Sequence, residues 1–162
     1  MIADLSNPEY YYDQGDSELR INFIETFVKH TKSPFNGMPF LLELWEKAVI
    51  EAFYSFKFIL TGFRRFKRLI LLIARKNGKS TFCAALCLAE FMIGKPGCDI
   101  VCSSNDDAQA GLIFDEIANM RQKFDPKGKR THKNLKGIFN LKNDSTIKKL
   151  SEKTQNKEGR NI

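Results

Sequence analysis

The sequence lacks any hydrophobic run long enough to cross a membrane. Its longest apolar segment, 69–74, falls far short of the roughly 20 residues that a transmembrane helix needs. Residues 1–12 carry acids and tyrosines where a secretory signal needs basic residues followed by an apolar stretch. Internal repeats and low-complexity blocks are also missing, which argues against a largely disordered chain. At 162 residues, we expect one globular domain in the cytoplasm.

The sequence has four cysteines, and their spacing does not suit a structural zinc site. Cys83 and Cys87 form one pair and Cys98 and Cys102 another, each with members four positions apart. Zinc knuckles usually hold their paired cysteines closer together on a tight turn. The first pair lies in an apolar helical pattern and the second brackets a strand-like run. We therefore expect reduced, buried thiols.

Acidic residues are outnumbered by basic ones. The chain has 19 Asp and Glu against 26 Lys and Arg, which gives a net charge of +7. Such a surplus suits a polyanionic partner such as DNA, through the release of condensed counterions. Part of it is concentrated between Lys127 and Lys136, a segment that fits a solvated charged loop equally well. Charge alone leaves DNA binding open.

Hydrophobic periodicity of both the helical and the strand kind is present. The predicted helices are 17–30, 40–58, 80–93 and 106–124, the predicted strands are 69–74 and 99–103, and a hairpin is predicted over 138–150, all after an N-terminal loop over 1–15. Asp16 or Ser17 is expected to cap the first helix. The order strand, helix, strand, helix predicts an α/β domain whose parallel sheet is flanked by helices and preceded by two helices.

The segment Ala74–Thr81, ARKNGKST, lies where a predicted strand ends and a predicted helix begins. The free N–H groups and the positive dipole end of a helix start favour phosphate there. In the P-loop (Walker A) pattern a glycine lets the backbone wrap the phosphates, a lysine reaches the β and γ groups, and a hydroxyl ligates Mg²⁺. Gly78, Lys79 and Ser80 supply these groups. Ile73 stands where the pattern has its first glycine. The alternative is therefore an ordinary helix start that binds no phosphate, with Lys79 in solvent.

Taken together, these residues resemble the ATPase domain of the large terminase subunit of tailed bacteriophages, the motor that pumps DNA into the procapsid. That family often has an Arg-Lys-Asn-Gly-Lys-Ser loop without the first glycine, after an aliphatic strand and an Arg-Arg-Phe-type lead. The matching residues here are Arg75–Ser80 and Arg64–Phe66. Ser103–Asn105 followed by Gln109–Ala110 is similar to the family's next strand end and helix start. The resemblance runs from about Asp16 to the last residue.

The resemblance implies that ATP and Mg²⁺ bind at the loop and that water attacks the γ-phosphate. It implies that Lys79 neutralises β and γ oxygens, that Ser80 ligates Mg²⁺ and that Arg75 senses or stabilises the γ-phosphate. A surface ion pair is the alternative for Arg75. The other predicted nucleotide-binding residues are Lys76, Asn77, Gly78, Thr81 and Trp45.

Trp45 lies in a segment, with Phe40 and Leu41, that looks like the family's adenine side, where an aromatic residue is commonly followed by glutamine. Glu46 follows it here. A glutamate accepts hydrogen bonds but does not donate them, so contact with the base and a plain core tryptophan both stay open.

The tail Glu158–Asn161 looks like the stretch just before the family's second ATPase motif. That motif supplies an aspartate for Mg²⁺ and a glutamate that activates water, and the sequence contains neither it nor the family's nuclease domain. Asp99 precedes a strand and Asp115–Glu116 lies within a helix, so neither is assigned as water activator. We expect an incomplete ATPase domain that binds ATP weakly and hydrolyses little or none alone.

For the full-length protein, the resemblance implies an ATPase and endonuclease in the host cytoplasm. It implies double-stranded DNA, the procapsid portal and the small terminase subunit as partners, and a homo-oligomer. Two alternatives stay open: another P-loop NTPase, such as a helicase-like ATPase or a small kinase, and a basic DNA-binding module without nucleotide. A kinase should carry a lid and an acceptor site, and a helicase should carry a fuller glycine-rich loop.

Overall fold

The computed structural model describes residues 7–104 and 107–150. The helices are α1 (Gln14–Phe27), α2 (Leu44–Ser55), α3 (Lys79–Ile93) and α4 (Asp107–Phe124). The strands are β1 (Tyr10–Tyr12), β2 (Phe56–Phe58), β3 (Asp99–Cys102), β4 (Thr131–Asn134), β5 (Gly137–Asn140) and β6 (Thr146–Lys149). None of these helices is both long and apolar enough to span a membrane. The α/β class is the one that the sequence predicts.

Four strands form a mixed sheet in the order β3-β6-β5-β4. β3 pairs with β6 in parallel, whereas β5 pairs antiparallel with both β6 and β4. The sheet therefore contains one parallel pair, but β6 takes the place beside β3 that the sequence predicted for segment 69–74. Gly137 opens β5 at a φ of 151°, where a Cβ would lie 2.4 Å from the carbonyl oxygen of Ile147. Only glycine fits that close approach to β6.

Helix α3 lies at the centre of the core. Its side chains Phe82, Leu88 and Phe91 are fully buried. The helix packs against α4 on one side and α1 on another, while α1 packs against α2. Burying each large apolar side chain contributes about 1.5–3 kcal/mol, so the position of α3 is strongly determined. The predicted P-loop, residues 74–81, leads into the first turn of this helix and is called the phosphate loop.

The predicted strand 69–74 is wrong for this structure: residues 66–74 have no regular secondary structure. Ile70 and Leu72 are 81% and 93% exposed, whereas Leu71 and Ile73 are half-buried. This alternation is that of an extended chain with one side against the core. A strand also needs a neighbour for its N–H and C=O groups, and none of the described strands pairs with this segment.

The boundaries of the first two helices also differ from the prediction. α1 begins at Gln14, after Asp13 in an extended conformation, so neither Asp16 nor Ser17 is the cap. Ser17 is buried and accepts a hydrogen bond from Ser55. α2 replaces the predicted helix 40–58 by a shorter one, because the end of that segment forms β2.

β2 pairs with β1 in a separate two-stranded ribbon, and β1 lies in the predicted N-terminal loop. Strand β3 is one residue shorter than predicted, and the predicted hairpin corresponds to β5 and β6. Asn105 and the tail 158–161, which contribute to the family resemblance, lie outside the described residues.

Candidate nucleotide-binding site

The phosphate loop forms a shallow cradle at the N-terminal end of α3. A cavity of about 320 Å³ is lined by residues 74–81, the predicted loop and the first residues of the helix. Gly78 precedes the helix in a left-handed conformation, with φ 72° and ψ 0°. Lys76 is left-handed too, at φ 69°, which is uncommon for a residue with a side chain. These two conformations turn the chain around the cavity.

The first turn of α3 leaves N–H groups available. No side chain caps this helix end, and the N–H of Phe82 is the one that reaches the carbonyl of Gly78, at 2.8 Å. The N–H groups of the preceding residues have no partner within the helix. Together with the positive end of the helix dipole, they favour an anion in the cradle.

Three cations surround the cradle: Arg75, Lys76 and Lys79 all line it and are exposed. Among residues 7–104 and 107–150, no carboxylate forms an ion pair with any of the three. The cradle itself is lined by no carboxylate from the part of the chain that the structure describes. The surface-pair alternative for Arg75 therefore has no support from the described residues, and the site has an uncompensated positive charge.

A larger cavity of about 780 Å³ adjoins the cradle and shares Lys76, Asn77 and Gly78 with it. Its other walls are His30, Phe35, Phe40, Leu41, Glu43, Trp45, Glu46 and Ile73. A wall of aromatic and aliphatic side chains with a few polar groups is typical of small-molecule pockets, and the volume falls in their usual range of about 300–1,000 Å³. The two cavities place a flat apolar surface beside a cationic one.

Trp45 lines the larger cavity. It is 38% exposed and lies on the first turn of α2. Its ring packs edge-on against Phe82, a fully buried residue of the first turn of α3, with ring centroids 5.5 Å apart. One side of the tryptophan packs on the core and the other lines the pocket. Its surroundings therefore suit both interpretations, a core tryptophan and a residue that contacts the base.

Glu46 lines the larger cavity but is buried, with 4% of its surface exposed. Its Oε2 accepts the backbone N–H of Glu43 at 2.9 Å, which secures the start of α2. Burial raises the pKa of its carboxyl, although the same hydrogen bond opposes the rise. One carboxylate oxygen of Glu46 is therefore already used by the protein itself.

His30 and Phe35 form the wall opposite α2, on the connection between α1 and α2. The imidazole packs against Phe40 and Phe35, with ring centroids 4.9 Å and 5.5 Å apart. Burial lowers the pKa of His30, although nearby Glu116 opposes the change, so the ring is neutral at pH 7. A backbone hydrogen bond from His30 to Met38 closes this connection on itself.

His30 and Phe35 were not predicted as site residues. They are more than 35 positions from the loop in sequence, and no local pattern marks them. The only signal was that both rings lie in a connection that contains Pro34, Gly37 and Pro39. The predicted loop residues, 75–81, all line the same cradle, as expected for consecutive residues.

Asp99 and Glu116, two of the carboxylates that the sequence analysis did not assign as water activator, form contacts outside the cradle. Asp99 accepts from Thr146 and pairs with Lys148, and Glu116 accepts from Thr31 and pairs with Lys32. Neither residue lines the cradle or the aromatic pocket.

The four cysteines are free thiols. Burial raises the pKa of all of them, for Cys87 to about 12, so they stay protonated at pH 7. Among the described residues, no group of three or more His, Cys, Asp or Glu could hold a metal ion.

Comparison with known proteins places the chain in a family. A family model described as terminase large subunit, ATPase domain, matches residues 44–162. Among solved structures, the HK97 bacteriophage large terminase is similar, with a TM-score of 0.70 and 26% sequence identity. That match covers 88% of this chain and 29% of the HK97 protein. A search of curated proteins gives no match. Since the family match extends over most of the chain, the chain belongs to the terminase large subunit family and represents part of its ATPase domain.

Proposed function

We propose that this chain binds Mg-ATP, with the triphosphate in the cradle of residues 74–81 and the adenine in the aromatic pocket beside it. One observation carries the proposal: an uncapped helix start, with three cations that pair with no carboxylate of the described residues, adjoins a cavity lined by aromatic and aliphatic side chains. The first part suits phosphates and the second suits a flat apolar base. The shared wall at 76–78 sets the two parts side by side, as they are in a nucleotide.

Each loop residue takes a distinct part in this proposal. Lys79 neutralises the β and γ phosphates, Ser80 ligates Mg²⁺, and the N–H groups from Asn77 to Lys79 hold phosphate oxygens. Arg75 stabilises the γ-phosphate. Lys76 and Thr81 complete the cradle at its two ends. Magnesium, when bound with the nucleotide, neutralises phosphate charge and orients the terminal phosphate.

The base lies between two walls in this proposal. Trp45 supplies one aromatic face and the neutral imidazole of His30 supplies the other, since both rings line the cavity. Because one oxygen of Glu46 already accepts from Glu43, this carboxylate contributes mainly by fixing the α2 end that carries Trp45.

We further infer that the chain alone hydrolyses ATP slowly or not at all. Phosphoryl transfer to water needs a group that orients the water, and none of the carboxylates that the structure describes lines the cradle. Phosphate release measured at saturating Mg-ATP should stay near the background of a no-enzyme control. Steady turnover that Lys79→Ala abolishes would show that this chain already contains a complete catalytic site.

The full-length protein is proposed to be the motor of phage DNA packaging, hydrolysing ATP to translocate double-stranded DNA and cutting it with a nuclease domain. The portal, the small terminase subunit and further copies of the chain are its proposed partners in the host cytoplasm. Family membership and the net charge of +7 support this. Membership also favours it over a helicase-like ATPase, a small kinase or a basic module without nucleotide.

The loop is tested by comparing Lys79→Ala with Lys127→Ala in titrations with a fluorescent ATP analogue and Mg²⁺. Both lysines are exposed and unpaired among the described residues, but only Lys79 lines the cradle. A charge-assisted hydrogen bond contributes about 1.5–3 kcal/mol, so Lys79→Ala should weaken binding by about tenfold or more. Lys127→Ala should change it less than about twofold. Equal effects of the two substitutions would contradict the proposed loop.

A further inference from the structure

A second cavity lies at the opposite end of α3 from the phosphate loop. Its volume is about 580 Å³, and the turn after β2, the end of α3 and the connection to β3 enclose it. α3 has 15 residues, so at 1.5 Å per residue the two sites are about 20 Å apart. The charged side chains that line this cavity are Arg20, Lys57, Arg64, Lys67, Lys95, Asp16 and Glu90.

The two acidic residues of this cavity are already neutralised. Glu90 accepts from the Nε of Arg20 at 2.9 Å. Asp16 pairs with Arg20 and also with Lys57, whose ammonium lies 3.1 Å from it. Asp13, outside the lining, pairs with Lys57 as well. These contacts account for the charges of Arg20 and Lys57 and leave no acid for the other cations.

Arg64, Lys67 and Lys95 have no carboxylate partner within the described part of the chain. They come from two separate segments, the turn after β2 and the connection after α3. Like charges that converge on one concave surface repel each other unless an anion lies between them. The cavity therefore has an uncompensated charge and the space for a ligand.

Arg64 is already held in place. It is half-buried, and its guanidinium carbon lies 4.7 Å from the ring centroids of both Phe53 and Tyr54. Burial raises the pKa of Tyr54 to about 12, so this ring is neutral at pH 7. An arginine stacked in this way has lost much of its rotamer freedom, and its planar fork matches phosphate oxygens. The ammonium of Lys95 is similarly placed, 4.5 Å from the ring centroid of Phe63.

We propose that this cavity is a second anion site, in which Arg64, Lys67 and Lys95 bind a phosphate group. Two sources share that chemistry, the phosphodiester backbone of DNA and a free phosphate anion. The site is independent of the nucleotide loop in position and in residues. Its ligand needs no nucleobase, because the nearby rings of Phe53, Tyr54 and Phe63 already stack with Arg64 or Lys95.

The experiment uses the full chain carrying Lys79→Ala, so that binding at the nucleotide loop is suppressed. The Nε–Hε resonance of Arg64 is followed by NMR during titration with inorganic phosphate at constant ionic strength, and in parallel with a short DNA duplex of mixed sequence. A saturable shift with phosphate is expected. If the duplex shifts the same resonance and phosphate competes with it, the DNA backbone is the source. If the duplex leaves the resonance unchanged, the source is free phosphate. No shift with either probe overturns the proposal.

Paired variants check which charges are responsible. Lys67→Glu combined with Lys95→Glu should weaken phosphate binding by about tenfold or more. Lys127→Glu combined with Lys136→Glu makes the same charge change at exposed lysines outside the cavity and should weaken it less than about twofold. Equal weakening by both pairs would mean that only the net charge of the chain matters, which also overturns the proposal. The nucleotide site is judged separately, by ATP binding to the chain with Lys79 intact.

Discussion

Gly78 fixes the entry of the chain into α3 through its backbone conformation. At φ 72° a residue with a side chain is strained, yet a Cβ at this position would meet nothing within 4 Å. The cost of a substitution would thus come from the backbone and not from a clash. Gly97 has nearly the same φ, 73°, and is equally unobstructed, but it lies in the connection before β3. These two glycines form a matched pair.

We predict that Gly78→Ala and Gly97→Ala lower the free energy of unfolding by similar amounts, about 1–2 kcal/mol each. Only Gly78→Ala should also weaken ATP binding, because relief of the strain shifts the N–H groups that line the cradle. Urea denaturation and ATP titration of the two variants separate the effects. Loss of ATP affinity in both variants, in proportion to stability, would point to general destabilisation.

Residue patterns predicted the cradle, and the family resemblance singled out Phe40, Leu41 and Trp45 of the aromatic pocket, but nothing predicted its other residues His30 and Phe35. Gly78, Lys79 and Ser80 are adjacent in sequence, and their chemistry is readable from their order. His30 and Phe35 reach the same site only because α1 and α2 pack together and close the connection between them. That contact depends on tertiary structure, which a local pattern does not contain.

Among the elements, the helices were predictable because each has a long apolar stripe at helical spacing. β1, β2 and β4 were missed. Each is three or four residues long, and β4 has the polar sequence THKN. Such strands form because a neighbouring strand supplies hydrogen bonds, not because of their own composition. The reverse holds for 69–74, which has a strand-like composition but no described neighbour.

The exposed side of segment 69–73 should promote self-association, since an unpaired apolar edge invites pairing with another chain. We predict that the double variant Ile70→Thr, Leu72→Thr raises the highest protein concentration at which light scattering still detects only monomer. The free energy of unfolding should change by less than about 0.5 kcal/mol, because both side chains are exposed.

Leu71, between them, packs against the core and serves as the control. Leu71→Thr should lower the free energy of unfolding by about 1 kcal/mol or more without improving solubility. If the double variant is destabilised as much as Leu71→Thr, then Ile70 and Leu72 make stabilising contacts and the segment is not an exposed edge.

At the scale of the whole molecule, unpaired positive charge lies at both ends of α3. The nucleotide cradle occupies the N-terminal end, where the helix dipole adds to the charge, and the second cavity occupies the C-terminal end, where side chains alone supply it. The chain spans 29% of the length of the HK97 large terminase that it matches. DNA packaging, DNA cutting and assembly are proposed only for the longer protein, whereas nucleotide binding is testable on this chain.

Trp45 is the only tryptophan in the sequence and lines the aromatic pocket, so its fluorescence reports on that pocket directly. The central claim is that one ligand occupies both the cradle and the pocket. The most direct test is therefore to titrate the chain with Mg-ATP and with Mg-tripolyphosphate, which has no base, while following Trp45 emission. We predict a saturable change with Mg-ATP, a much smaller one with tripolyphosphate, and a curve shifted to about tenfold higher ATP in Lys79→Ala. An emission that ATP leaves unchanged, or a curve that Lys79→Ala does not move, would contradict the account.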